Sequence, residues 1–104
     1  RLAGDDVLTA ALAARADRAA TVVSSDLFYD PRAVERAAWA GAGAVAVDLE
    51  TAAVLAVAGR RGIRAAAVLA VVARGDERLD AEAIADAGVR LGHAALEALA
   101  PTPA

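Results

Sequence analysis

Cysteine is absent from this 104-residue chain, which excludes a disulfide framework, thiolate zinc sites and a cysteine nucleophile. Methionine is absent as well and the first residue is Arg1, so we expect an excerpt of a longer translated chain. Lysine is missing too: all eleven basic residues are arginine, dispersed along the sequence, and the net charge is -3. Such dispersal gives no basic stripe to neutralise nucleic-acid phosphates, so no nucleic-acid partner is expected. The single imidazole, His93, has no second one to build a metal site with, and no metal is expected. The longest uncharged apolar run, residues 65–73, spans nine residues against the ~20 that cross a bilayer. Asp5 and Asp6 interrupt any signal-like hydrophobic region near the start. A cytoplasmic protein without a membrane partner is the expectation.

Aromatics are scarce at 3%, yet hydrophobic residues make up 59%, so the apolar share is mostly alanine with valine and leucine behind it. That composition excludes disorder, which needs low hydrophobicity and high charge. It also implies a thin core, because alanine buries little area and each buried CH2 contributes only ~0.8 kcal/mol. A short chain hides proportionally less surface on folding, so a partner surface is expected to complete it.

Helical and strand patterns alternate along the chain. Residues 6–18 place Val7, Leu8, Ala11 and Leu12 on one helical face, with Asp5 or Asp6 as cap. Thr21 to Ser24 is a short β-branched strand. Pro31 opens a helix over residues 32–40, closed by Gly41 and Gly43. Residues 44–47 form a strand without a polar face, and residues 50–61 a helix stopped by Gly62. Residues 63–72 predict a longer buried strand, and residues 80–99 the last helix. The order α-β-α-β-α-β-α, with strands covered on both faces, predicts a three-layer α/β/α fold around a mostly parallel sheet. Three strands are few for such a sheet, so further strands are expected upstream. We read residues 1–100 as part of one domain and residues 101–104 as a frayed tail.

Ligands of open α/β sheets bind beyond the carboxyl ends of the strands. After the first strand come Ser24, Ser25, Asp26, Phe28 and Tyr29; after the second, Asp48 and Glu50 flanking Leu49. Arg74, Asp76 and Glu77 follow the third. One rim thus collects an aromatic pair, two carboxylates and a guanidinium, suited to a flat ring, a polyol and a developing negative charge. Each also has a plain structural reading. Phe28 and Tyr29 can be core aromatics, Asp48 and Glu50 can serve the dipole of the following helix, and Arg74 can belong to a solvated loop. Asp48 fits its plain reading least comfortably, because a carboxylate after an apolar strand is costly unless paired. Trp39 and His93 read as packing or surface residues.

The run Val22-Val23-Ser24-Ser25-Asp26-Leu27-Phe28-Tyr29, then Trp39 and Gly43, then Val47-Asp48-Leu49-Glu50-Thr51-Ala52-Ala53, resembles the nucleoside phosphorylases. That family includes uridine phosphorylase and the hexameric bacterial purine nucleoside phosphorylases. Its SSD-x-FY segment precedes an E-M-E-x-A segment and a strand ending in a polar pair, in the order seen here over nearly the whole chain. The resemblance implies cleavage of a nucleoside by phosphate, through an oxocarbenium-like transition state and an anionic leaving base. It implies that Phe28 stacks on the base beside Tyr29 and that Glu50 accepts hydrogen bonds from the ribose 2'- and 3'-hydroxyls. Leu49, in place of the usual methionine, would pack against the sugar. Asp48 stands where the family has glutamate, as a member of the same substrate-binding set.

The departures shape the specificity. Purine-specific members end the third strand in Ser-Asp, and that aspartate protonates the base; uridine phosphorylases have Asn-Arg. This sequence has Ala73-Arg74, so the resemblance makes Arg74 the catalytic cation that stabilises an anionic uracil, with Asp76 as an acid in a shifted alignment. Uridine phosphorylases also read uracil with a Gln and an Arg after the Phe-Tyr pair. Asp30-Pro31-Arg32 follows it here, and the chain has no Gln. The family's phosphate-holding loop and arginines are absent, so we expect them outside these residues, and the piece alone to be inactive. Phosphate is then a co-substrate, no cofactor is needed, and a hexamer or another dimer-based homo-oligomer is implied. A nucleosidase on the same fold and a non-catalytic nucleoside-binding paralogue are the competing readings.

Overall fold

A computed structural model describes residues 2–25 and 38–100 of the chain. Phe28, Tyr29, Arg32, most of the helix expected over 32–40 and the tail 101–104 lie outside the described residues.

The first helix, α1, spans Asp6–Ala13, and the Asp5 carboxylate caps it by accepting from the Leu8 amide at 2.9 Å. It stops short of the expected Arg18. Arg15 donates from Nη1 to the Ala11 carbonyl at 2.7 Å, satisfying one of the carbonyls a helix end leaves open. The Arg15 amide bonds to the Leu12 carbonyl, an i→i+3 contact that tightens the last turn.

Two strands follow, β1 (Thr21–Ser24) and β2 (Ala44–Asp48), paired in parallel. A parallel pair needs a long crossover, and residues 25–43 provide it. Its return passes a helical turn over residues 38–41 and then Gly43, whose φ of 86° lies in the left-handed region that favours glycine. Val45 and Val47 of β2 are exposed while Ala44, Ala46 and Asp48 are half-buried. The cover expected on both faces is not seen over β2 among the described residues. Its valine face is open among the described residues.

Helix α2 (Thr51–Arg60) follows β2 directly and packs on β1. It ends in a Schellman motif: Gly62, at φ 67°, donates to the Gly59 carbonyl and Ile63 donates to the Ala58 carbonyl.

The strand expected over 63–72 does not form a ladder. Among the described residues, the carbonyls of this run accept backbone bonds only at its two ends. Ala65 O accepts from the Asp5 amide at 2.8 Å, and Val72 O from the Leu79 amide at 2.9 Å. Four of its ten residues are alanine, which has little side chain to pack on a pleated surface, and an apolar run becomes a strand only beside a partner. Gly4 lies against this segment so closely that a Cβ there would meet the Ala65 oxygen at 3.3 Å. An antiparallel hairpin follows instead, β3 (Ala73–Arg74) with β4 (Glu77–Arg78). Gly75, at φ 60°, opens its two-residue turn, as glycine does in a type II' turn. Among the described residues the fold is thus α/β with one parallel pair and one antiparallel hairpin.

The last helix, α3 (Ala81–Leu99), is capped by Asp80, whose carboxylate accepts from the Ala83 amide at 2.8 Å. Ala87 and Ala94, two helical turns apart on one face, are buried, as is Leu12 of α1. The two helices pack on each other, and Arg15 Nε meets Glu97 Oε2 at 2.8 Å on their rim. Among the described residues these three apolar side chains are the buried core. Leu12→Ala is expected to lower unfolding stability by about 2–3 kcal/mol through lost burial and the cavity left behind. Glu97→Ala, which breaks an exposed ion pair, is expected to cost less than about 1 kcal/mol. Urea midpoints of the two variants test that order.

Candidate active site

The parallel register sets Ser24 opposite Asp48, so the carboxyl ends of β1 and β2 share one edge. The Ser25 amide extends the pairing by donating to the Asp48 carbonyl at 2.9 Å. This is the position at which open α/β sheets receive ligands.

Asp48 follows four apolar residues and is half-buried there, where a bare carboxylate is costly. Two hydroxyls answer that cost. Ser24 Oγ donates to Asp48 Oδ1 at 2.6 Å, and Thr51 Oγ1 donates to Asp48 Oδ2. Ser24 Oγ in turn accepts from the Ala52 amide at 2.8 Å. The end of β1, the end of β2 and the first turn of α2 are thereby joined in one hydrogen-bonded network. Both carboxylate oxygens of Asp48 have a partner inside the protein.

Leu49 and Glu50 form the bend between β2 and α2, and both are exposed. Glu50 is the N-cap of α2, with φ -137° and ψ -12°, and its carbonyl accepts the first helical bond from the Val54 amide at 3.0 Å. Its carboxylate makes no capping hydrogen bond. A carboxylate at the open end of a sheet, beside a helix N-terminus that favours negative charge, can accept from ligand hydroxyls.

The structure thus gathers Ser24, Ser25, Asp48, Leu49 and Glu50 at one edge. It does not add Arg74. That residue lies in β3, exposed, opposite Glu77 in the hairpin ladder. Among the described residues it shares no hydrogen bond or ion pair with Asp48 or Glu50. The sequence expectation put it at the end of a third sheet strand, and the Gly75 turn reverses the chain there instead. Asp76 sits in that turn, and Glu77 in β4. Phe28 and Tyr29 lie outside the described residues. Trp39 is half-buried on its helical turn, and His93 is exposed on α3.

Thr51 was not singled out from the sequence, although a signal was present. Asp-x-x-Thr at a strand-to-helix junction sets the two side chains within reach of each other across the first helical turn. A separate hollow along α2 is lined by Val54, Val57, Arg61 and Ile63, with two alanines. Its almost wholly apolar wall offers nothing to grip a sugar.

Among the described residues no helix is long and apolar enough to cross a membrane. A family model described as the phosphorylase superfamily matches residues 4–100. No curated protein and no solved structure matches the chain.

Proposed function

This chain belongs to the phosphorylase superfamily, and we propose that it is the base- and ribose-holding part of a nucleoside phosphorylase. The observation that carries the reading is Glu50: an exposed carboxylate, unused by its own helix, at the carboxyl edge of a parallel strand pair. In the proposed reaction a phosphate oxygen bonds to the anomeric carbon of the sugar as the bond from that carbon to the base nitrogen breaks. The electron pair of that bond leaves with the base. Glu50 accepts from the 2'- and 3'-hydroxyls and holds the sugar still while its ring gains positive charge. Leu49 packs against the sugar, Phe28 stacks on the base beside Tyr29, and Asp48 belongs to the same edge.

Arg74 is assigned to the departing base. A guanidinium stabilises an anionic uracil without giving up its proton, which favours uridine over a purine nucleoside. The assignment requires the β3–β4 hairpin to stand beside the β1–β2 edge in the assembled enzyme. Further strands would complete the three layers, and residues outside this sequence would hold phosphate, the co-substrate. No cofactor takes part. The exposed valines of β2 and α2 support burial against neighbouring subunits in a homo-oligomer, and we place the enzyme in the cytoplasm.

The test uses the full-length protein that carries this sequence, with uridine and inosine, with and without phosphate. Base release that requires phosphate and yields ribose 1-phosphate is expected, faster with uridine. Equal release without phosphate would make the protein a nucleosidase. The Ala73-Arg74 pair and the missing Gln favour a non-catalytic nucleoside-binding paralogue as the second reading. Binding of nucleosides without base release would establish that one.

A further inference from the structure

We propose that Ser24, Asp48 and Thr51 are positioning residues that cap α2 in place of Glu50 and so leave the Glu50 carboxylate free for the sugar. The inference rests on the nucleoside reading of this edge.

A helix begins with amides that lack partners, and the N-cap side chain ordinarily satisfies one at the second or third helical position. Glu50 occupies the N-cap of α2 but does not perform this service. The amide of Ala52, the second helical residue, finds Ser24 Oγ instead, a hydroxyl from the neighbouring strand. Ser24 can accept there because its own proton is committed to Asp48 Oδ1. Asp48 is held in turn by the Thr51 hydroxyl at its second oxygen. The path Thr51–Asp48–Ser24–Ala52 runs from α2 to the two strand ends and back to α2. Glu50 is enclosed by it, between Asp48 and Thr51 in the chain.

Two consequences follow for the site. The backbone at residue 50 is held from both sides, by Asp48 on the strand and Thr51 on the helix, so the Glu50 side chain starts from a defined point. The Ala52 amide, already bonded to Ser24 Oγ, does not compete with the sugar for the Glu50 carboxylate, which makes no capping hydrogen bond. Asp48, whose two oxygens are turned to the Ser24 and Thr51 hydroxyls, acts on substrate through Glu50.

The experiment compares Ser24→Ala, Thr51→Val and Thr51→Ser in the full-length protein, each alone and with Glu50→Ala. The readout is kcat/KM for uridine and inosine against their 2'-deoxy counterparts. Ser24→Ala and Thr51→Val are each expected to lower kcat/KM for the ribonucleoside about tenfold, equivalent to about 1.4 kcal/mol, and for the 2'-deoxy substrate only about threefold. Thr51→Ser keeps the hydroxyl and is expected to retain wild-type values. In the Glu50→Ala background the same two changes should alter kcat/KM by less than about twofold, because the group they position is gone. Equal losses on both sugars, or undiminished losses without Glu50, would overturn the inference while leaving the nucleoside reading intact. A wild-type protein inert toward every nucleoside tested would overturn both together.

Discussion

Glu50→Ala in the full-length protein is expected to lower kcat/KM for a ribonucleoside by about a hundredfold or more. A hydrogen bond to a charged group contributes about 1.5–3 kcal/mol, and Glu50 is assigned two, to the 2'- and 3'-hydroxyls. Each 1.4 kcal/mol is a factor of ten, so two such bonds give about 10² to 10⁴ before the remaining contacts readjust. The 2'-deoxy substrate lacks one of the hydroxyls and has only the other to lose. Its expected loss is about tenfold to a hundredfold, on the same arithmetic. Glu50→Gln keeps the shape of the side chain and one acceptor oxygen, and should fall between. Because the Glu50 carboxylate accepts no hydrogen bond from the first turn of α2, the folded state should tolerate both changes with little shift in urea midpoint. Equal losses for the two sugars would remove Glu50 from the ribose and return it to the plain role of a charge at a helix N-terminus.

Arg74→Ala should have the second large effect, a fall in kcat with uridine of about a hundredfold. Removing one group that stabilises developing negative charge in a closed site costs about 10² to 10³. The signature lies in the leaving group. A uracil that carries an electron-withdrawing 5-substituent spreads its own negative charge and needs less help, so its loss should shrink to about tenfold on the same scale. Arg74→Lys retains the charge but not the planar fork, and should recover part of the rate. Asp76→Asn is the control for the shifted alignment. A larger loss from Asp76→Asn than from Arg74→Ala would transfer the role to a proton donor. Losses that ignore the leaving group would take Arg74 out of the chemistry altogether, in keeping with its exposed place in the hairpin.

The two predictions differ in how directly the structure bears on them. For Glu50 the edge is built: the strand pair, the bend and the helix start lie together in consecutive residues. For Arg74 the expectation depended on a third strand, and that strand is the element the structure overturns. The apolar run over 63–72 looked like a buried strand because alanine, valine and leucine carry no polar punctuation. Hydropathy reports that a segment avoids water. It cannot report whether a second backbone stands ready to accept its hydrogen bonds, which is what makes a strand. The glycine that redirects the chain, Gly75, directly follows Arg74, whose plain reading is a solvated loop; its positive φ, and with it a hairpin in place of an open loop, belongs to the fold.

Local chemistry was read well because its causes are local. Asp5 caps α1 within three residues of itself, as its position suggests, and Gly62 terminates α2 because only glycine reaches that φ cheaply. The strands at 21–24 and 44–48 follow from β-branched and apolar runs, and their parallel pairing from the helical crossover expected between them. The motif segments resembling nucleoside phosphorylases are consecutive residues, and the family match over 4–100 agrees with them. α1 ends at Ala13, short of its pattern, and beyond that end Arg15 meets the Ala11 carbonyl and Glu97, a residue 82 positions away.

Asp48 shows where sequence stops and tertiary structure begins. Composition and pattern were enough to determine an α/β chain with a thin, alanine-rich core, the positions of most helices, and a carboxylate pair at the end of an apolar strand. They also marked Asp48 as a charge in need of partners. Which partners was a matter of space: Thr51 lies three residues on, within the same junction, but Ser24 lies 24 residues away. Only the parallel register, set by the pairing of two strands through a long crossover, brings that hydroxyl to Asp48 and to the open amide of α2. Side-chain hydrogen bonds act over about 3 Å, so the sequence can name the group that needs one. The fold decides which distant residue stands close enough to supply it.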